Sequence, residues 1–285
     1  MALNLLELTM SWKGKGPISF EEGWPYLQEG ITKIINNLDQ GSTPLINPSE
    51  VFSLYTLAYM MCNQNGPYDC APKLYEHYGK SIKEYLVLTV QPSLMGKCDE
   101  NLLKELVKRW KNHQSMANSL GRIFRYLDRY FVHRHKSPAL GELAVICFYD
   151  LVYKTNKVEI VNAAIALLGR LRQGQLIDHE LMKNVVEIFV EFGMGSLFVY
   201  KHDFETPMLD NVAAYYKWNA SGWICRDDTR AYMAKVQTHL LLERQIARDY
   251  LHPTSESLLL KRVHDVLMAV EKDDLPRMLS SANLK

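Results

Sequence analysis

The residues best suited to bind a metal are two cysteines and several histidines. Cys62 and Cys70 are separated by seven residues and His77 follows them, so these side chains could supply three ligands. The spacing matches none of the usual zinc patterns and a fourth ligand is not evident, so buried structural cysteines are the favoured interpretation. His133 and His135 would point to different sides of a helix, which favours a solvated basic end. We expect no metal and no other cofactor.

Three other features have residue types that could form a catalytic site. Glu187 and Glu191 are four residues apart and share one helix face, as a paired acid and base would, but solvent-facing glutamates are far commoner. Residues 193–196 lack the Gly-x-Ser-x-Gly spacing and the preceding strand of a nucleophile elbow. Residues 13–16 have no strand before them, as a phosphate-binding loop requires. We therefore expect that the protein is not an enzyme.

Positive charge is concentrated in residues 101–136, which carry nine basic and two acidic residues, a net charge of +7. The remaining 24 basic and 30 acidic residues give −6, so the neutral total conceals one cationic segment. Such a segment could attract an acidic partner or a nucleic acid, or it could be an ordinary solvated face. The basic residues are Lys104, Lys108, Arg109, Lys111, Arg122, Arg125, Arg129, Arg134 and Lys136.

Capping signals and apolar periodicity predict a chain composed almost entirely of helices. Ser19 and Glu22 form a capping box, and apolar residues in the same segment recur at helical spacing. Helices are predicted at about 19–38, 47 to the break at Gly66, 72–90, 101–131, 137–153, 158–172, 179–192, 204–218, 228–251 and 255–271. The most regular segment has nine residues spaced alternately three and four apart, which places them on one buried face. They are Leu103, Leu106, Trp110, His113, Ala117, Leu120, Phe124, Leu127 and Phe131.

Composition and cysteine content define the broad class of protein. The chain has 285 residues, of which 47% are apolar, and only 15 Gly and 11 Pro, as expected for a globular helical fold. No apolar stretch approaches the roughly 20 residues that span a bilayer, and the N-terminal residues read poorly as a signal peptide. An odd number of cysteines, five, favours a reduced environment, so we expect a cytoplasmic and nuclear location.

The segment ELVKRWKNHQSMANSLGRIFRYLDRYFVHRH resembles the fifth helix of the first repeat in cullins of the SCF type, and most closely the plant ones. Other segments of the chain agree with the family in order, and the resemblance covers about residues 19–271. These segments are GWPYLQEGITKI, LYTLAYMMC, KLYEHY, FYDLVY, LMKNVVEIFVEFGMG, DFETPMLDNVAAYY, YMAKVQTHLLLE and YLHPTSE.

The resemblance implies an all-α, elongated solenoid of about two stacked five-helix cullin repeats, without a catalytic residue. It also implies that the second and fifth helices of the first repeat bind a Skp-family adaptor that carries an F-box protein. The family typically has bulkier residues at 115, 117 and 119. The positions carried over are Val51, Phe52 and Tyr55 on the second helix and Lys111, Ser115, Met116, Ser119, Arg122 and Ile123 on the fifth.

The resemblance also divides the chain. We predict a flexible tail at 1–18, a first repeat at 19–153, a second at 154–271 and a C-terminal tail at 272–285. Because residues 272–278 resemble the opening of a third repeat but follow Glu271 directly, we expect a product truncated before the RING-binding domain. No RING subunit and no membrane are expected as partners, and nucleic acid is the less favoured partner of the basic segment.

Overall fold

The computed structural model describes residues 16–40, 44–64 and 66–282, with side chains to residue 269 except that of Pro67. Throughout these ranges the chain forms helices and turns and no β-strand, which confirms the predicted all-helical class. The chain divides into two compact units. Unit 1 contains the described residues up to Lys97 together with Glu105–Lys157, and unit 2 contains Cys98–Lys104 and the described residues from Val158 onward.

Unit 1 is built around α3, which packs on helices before and after it in the chain. Helix α1 packs on α2 and α3, and α3 packs on α5. Three of these helices are followed by π-helical segments, which are Leu86–Val90 after α3, Leu127–Val132 after α4 and Tyr149–Tyr153 after α5. The helices are α1 (Phe20–Asn37), α2 (Pro48–Cys62), α3 (Ala71–Tyr85), α4 (Asp99–Ile123), whose first residues cluster with unit 2, and α5 (Leu140–Phe148).

Unit 2 has its core between its last three helices and α7. Helix α10 packs along both α8 and α9, and α7 packs on α9. The helices are α6 (Lys157–Arg172), α7 (His179–Glu191), α8 (Thr206–Ile224), α9 (Thr229–Tyr250) and α10 (Ser255–Ala282). A π-helical segment, Tyr200–Glu205, leads directly into α8.

Helix starts are fixed by the side chains that the sequence indicated. Ser19 Oγ accepts from the Glu22 amide at 3.2 Å, and a Glu22 carboxylate oxygen accepts from the Ser19 amide at 3.0 Å, so the predicted capping box is present. Asn47 caps α2 by accepting from the Ser49 amide at 2.9 Å. Each such cap satisfies amides that have no partner within the helix.

Helix ends were predicted less well. The helix expected to end at residue 218 continues to Ile224 as α8, and the helix expected to end at 271 continues to Ala282 as α10. Gly222 and Pro276 both lie inside these helices. Backbone at residues 272–282 is therefore helical, whereas a tail was expected there; residues 1–15 of the predicted N-terminal tail lie outside the described residues.

The predicted apolar face of α4 is buried. Seven of the nine predicted residues are fully buried, and Ala117 and Phe131 are half-buried. Six of the nine lie within α4, and Phe124, Leu127 and Phe131 follow its last residue. The Phe124 ring contacts Tyr78 at 5.7 Å between centroids, and Trp110 contacts Phe148 at 4.8 Å, both edge-to-face. This face therefore joins α4 to α3 and α5 through aromatic contacts.

His113 is a buried histidine on the same face. Its side chain is 1% exposed, and its Nε2 lies 2.9 Å from the Ala144 carbonyl oxygen, so Nε2 must donate because a carbonyl only accepts. Nδ1 is buried without a partner. Burial lowers the pKa of His113 to about 4, against the smaller opposing effect of its hydrogen bond to Ala144.

We predict that Trp110→Ala and Phe124→Ala each destabilise unit 1 by about 3 to 5 kcal/mol, because each leaves a large cavity in the core. Urea denaturation followed by circular dichroism measures the effect. Trp218→Ala and Phe52→Ala are matched controls, since these side chains are 79% and 62% exposed, and should change stability by less than about 0.5 kcal/mol. If the variants at Trp110 and Phe124 lost no more stability than the controls at Trp218 and Phe52, Trp110 and Phe124 would not be core residues.

We also predict a pH dependence from His113. Because its folded pKa of about 4 lies below the unfolded value of 6.5, its contribution to stability is complete above pH 6.5 and is lost as the pH falls toward 4. Between pH 7 and pH 5 this amounts to about 2 kcal/mol. His113→Gln, measured beside the wild type by urea denaturation, should remove that part of the pH dependence. If the free energy of unfolding of His113→Gln changed between pH 7 and pH 5 as much as that of the wild type, this assignment would be contradicted.

Candidate functional site

The three α2 residues predicted to bind a partner lie on one side of that helix. Phe52 is 62% exposed, and Val51 and Tyr55 are half-buried. Phe52 is separated by seven residues from Tyr59, which is 38% exposed, so both lie on the same helix face with Tyr55 between them. The structure therefore presents aromatic surface on α2.

The predicted α4 residues fall into two groups. Lys111, Ser115 and Arg122 are exposed and Ser119 is half-buried, with its hydroxyl donating to the Ser115 carbonyl at 2.9 Å. The other group, Met116 and Ile123, is buried in the core.

Met116 and Ile123 were predicted to contact a partner directly, and the structure corrects this. They are 0% and 1% exposed, so neither offers surface to a second protein. The buried face of α4 is wider than one stripe, because a second row of residues spaced three and four apart is also buried. This row is Leu102, Leu106, Arg109, His113, Met116, Leu120, Ile123 and Leu127.

An aromatic row joins α2 to the segment that follows α4. Tyr55 stacks on Tyr59 at 6.3 Å between centroids, Tyr59 meets Tyr126 edge-to-face at 5.2 Å, and Tyr126 lies 4.5 Å from Tyr130. We call Phe52, Tyr55, Tyr59, Tyr126 and Tyr130 the aromatic row. Tyr130 at its end is 53% exposed. The rings of Tyr55, Tyr59, Tyr126 and Tyr130 thus form a connected aromatic surface on unit 1, and Phe52 lies on the same face of α2.

Hydrogen bonds hold the centre of the aromatic row. The Asn63 side-chain amide donates to the Tyr59 hydroxyl at 3.1 Å, and the Tyr126 hydroxyl donates to Asn63 Oδ1 at 3.4 Å. Partial burial raises the pKa of Tyr126, which keeps its hydroxyl protonated. Tyr59 and Tyr126 were missed at the sequence level. Helical spacing places Tyr59 with Phe52 and Tyr126 with Arg122, but it does not show that the two tyrosines touch.

The basic segment is partly neutralised by ion pairs. Lys104 Nζ lies 2.8 Å from Glu100, and Arg109 is bound to Asp39 at 3.0 Å and to Glu105 at 2.7 Å. Lys108 also reaches Asp39, at 3.4 Å. Although partial burial acts to raise it, Arg109 and Lys108 hold the pKa of Asp39 below its usual value. Three of the nine cations thus stabilise the fold.

The other six cations are exposed and form no ion pair with any residue that the structure describes. Arg122 shares a helix face with Ser119 and Tyr126, so positive charge borders the aromatic row. Arg125 and Arg129 lie one residue before Tyr126 and Tyr130, respectively. The six are Lys111, Arg122, Arg125, Arg129, Arg134 and Lys136.

The remaining candidate sites do not assemble into reactive groups. Cys62 and Cys70 are buried, and burial raises the pKa of both thiols. His77 packs against Phe20 and Trp24 at 4.6 and 4.9 Å between ring centroids, in an aromatic cluster. Within the described ranges no group of three or more acidic, cysteine or histidine side chains could hold a metal ion.

The remaining candidates from the sequence lie on α7 and in the turn that follows it. Glu187 and Glu191 are exposed on α7, and residues 193–196 form a turn in which Met194 and Gly195 have positive φ values of 46° and 91°. Among the helices described here, none has the length and apolar character needed to cross a membrane.

Comparison with known proteins identifies similar chains. The family model for the cullin alpha solenoid domain matches residues 24–283. Putative cullin-like protein 2 of Arabidopsis thaliana is 44% identical over 90% of this chain and 69% of its own length. Cullin-like protein 3 of Arabidopsis thaliana is 37% identical over 88% of this chain and 97% of its own length. Cullin-1 of Oryza sativa subsp. japonica is 43% identical over 88% of this chain but only 34% of its own length.

We predict that the Tyr59 and Tyr126 rings are energetically coupled. A double-mutant cycle with Tyr59→Leu and Tyr126→Leu, measured by urea denaturation, should give a coupling energy of about 0.5 to 1.5 kcal/mol. Tyr68→Leu in place of Tyr59→Leu is the control, because Tyr68 is exposed and makes no ring contact among the described residues. Additive effects in the Tyr59–Tyr126 cycle would show that the two helices are not joined through these rings.

Proposed function

Because this chain belongs to the cullin family, we propose that it is a non-catalytic scaffold that binds a Skp-family adaptor carrying an F-box protein, for ubiquitin-dependent protein degradation. The binding surface is the aromatic row together with the exposed cations of residues 101–136. The observation that carries the proposal is the contact between Tyr59 and Tyr126, which connects the aromatic face of α2 to the cationic segment that begins on α4 and continues past its last residue.

The composition of this surface supports a protein partner. Exposed tyrosine, phenylalanine and arginine are the residue types that most often anchor protein interfaces. Phe52 and Tyr130 provide apolar area, and Arg122, Arg125 and Arg129 provide charge that no described carboxylate neutralises. An acidic adaptor would match this pattern, and attraction to the unpaired arginines would speed its association at low salt.

The small residues of α4 leave room beside the aromatic row. Ser115 and Ser119 lie one helical turn apart, and the Ser119 hydroxyl is bonded to its own helix backbone. Neither residue projects apolar atoms from this face. We infer that a partner would contact the row mainly through α2 and Tyr126, and that an added aromatic side chain at 119 would increase the apolar contact.

The second candidate function is nucleic-acid binding by α4. The six exposed cations of the segment 101–136 favour it. The net charge of −6 over the rest of the chain opposes it, because a polyanion is repelled by the remaining surface. A cytoplasmic and nuclear location with reduced cysteines is part of the scaffold proposal and is compatible with either function.

We predict that a Skp-family adaptor in complex with an F-box protein binds this 285-residue chain with micromolar or tighter affinity in isothermal titration. Phe52→Ala should weaken binding by more than about 1 kcal/mol, because an exposed aromatic anchor is lost. Arg122→Glu should weaken binding and reduce its dependence on salt. Ser119→Trp should strengthen binding by adding apolar contact.

Two matched variants control this experiment. Leu88→Ala removes a side chain that is 75% exposed on the segment after α3, and Lys83→Glu reverses an exposed charge on α3 that has no ion pair in the described structure. Both should bind like the wild type. Absence of heat at micromolar concentrations, or equal losses in Phe52→Ala and Leu88→Ala, would contradict the proposal. Tight, steeply salt-dependent binding to an oligonucleotide in place of the adaptor would support the second candidate function.

A further inference from the structure

A surface cleft on α8, in unit 2, is unrelated to the aromatic row. Its volume is about 710 Å³, within the usual range of binding clefts. Trp218 forms one wall and is 79% exposed, the largest exposure of any aromatic residue that the structure describes. The lining residues are Ala214, Lys217, Trp218, Asn219, Ser221, Gly222 and Arg226.

The indole of Trp218 is surrounded by small side chains on its own helix face. Ala214 and Gly222 lie four residues before and after it, and Ser221 lies three residues after it, so each is a neighbour on the helix surface. The Ser221 hydroxyl is turned back to the Lys217 carbonyl at 3.0 Å. These small groups leave the indole uncovered, as an anchor for an apolar group of a partner would require.

The cleft holds one guanidinium in a defined position. Arg226 Nε donates to the Gly222 carbonyl at 2.8 Å, which folds the side chain back along the end of α8. A Cβ at residue 222 would lie 3.3 Å from Arg226 Nη2, a tight contact, so the missing side chain of Gly222 gives the guanidinium a few tenths of an ångström more room. Gly222 is about 6 Å along the helix axis from Trp218, and Arg226 and Trp218 both line the cleft.

The charge of the cleft is positive and is not neutralised by nearby acids. Lys217 and Arg226 are exposed and have no ion pair in the described ranges. The acidic residues next in sequence are already engaged. Asp227 pairs with Lys235 at 2.5 Å, and Asp228 caps α9 by accepting from the Ala231 amide at 2.7 Å. The cleft therefore complements carboxylates on both sides of an apolar group.

We propose that the α8 cleft is a docking site for an acidic peptide segment of a partner protein, in which an apolar or aromatic side chain lies between carboxylates. Trp218 packs on the apolar side chain, Arg226 binds one carboxylate through its free Nη groups, and Lys217 attracts another. A nucleic acid fits less well, because two cations neutralise few phosphates and the chain outside residues 101–136 has a net charge of −6.

Fluorescence anisotropy with a dye-labelled peptide tests the proposal directly. The probe is a short peptide that alternates Asp and Glu with Leu and Phe, and its matched control has Asn and Gln in place of the acids. The acidic peptide should bind saturably at low salt, and the neutral peptide should bind at least about tenfold more weakly. Trp218→Ala and the double variant Lys217→Glu/Arg226→Glu should each weaken binding of the acidic peptide by about tenfold or more.

Matched variants distinguish binding in the cleft from nonspecific attraction caused by the net charge of the chain. Leu241→Ala removes an exposed apolar side chain of α9, and Lys183→Glu/Lys201→Glu makes the same change in net charge outside the cleft. Both should keep wild-type affinity. The proposal is overturned if the acidic peptide shows no saturable binding, if the control double variant loses as much affinity as Lys217→Glu/Arg226→Glu, or if labelled oligothymidylate binds more tightly than the peptide. None of these measurements depends on an F-box adaptor.

Discussion

Burial of one face of α4 is the constraint on which unit 1 depends. Trp110 of α4 contacts Phe148, and Phe124, directly after the last residue of α4, contacts Tyr78, so these two aromatic contacts fix the rotation of α4 about its axis. A helix with 3.6 residues per turn cannot bury these positions without directing the opposite positions to solvent. Exposure of Lys111, Ser115 and Arg122 is thus a consequence of core packing.

The packing of α4 also determines which of its cations form ion pairs within the fold and which are exposed to a partner. Arg109 lies within the buried rows of α4 and needs Asp39 and Glu105 as partners, since an unpaired charge at that depth would be costly. Arg122 lies on the solvent face and needs none. Because the two arginines are thirteen residues apart in one helix, their different roles follow from helix rotation and not from local composition.

The sequence predicted the fold class and most helix starts, because caps and apolar periodicity are local signals. It also predicted one buried row of the helix at 101–131, but not the second row that is buried beside it. Met116 and Ile123, which the family resemblance assigned to the partner surface, lie on that second row. Two helix ends, at residues 218 and 271, were predicted too early. Gly222 lies inside α8, where the favourable contacts of α8 with α10 outweigh the cost of one glycine.

Pairings between distant segments could not be read from the sequence at all. Arg172 and Glu243 form a two-pronged ion pair at 2.6 and 3.0 Å, with side chains 1% and 0% exposed, and the Tyr216 hydroxyl donates to the same carboxylate at 2.8 Å. Nothing in the local sequence distinguishes Arg172 from Arg226, which is exposed in the same unit and has no ion pair with any described residue. A count of charges therefore cannot identify a binding surface. Only the combination of exposure, absent ion pairing and an adjacent aromatic ring does so, and in unit 2 that combination occurs at Trp218.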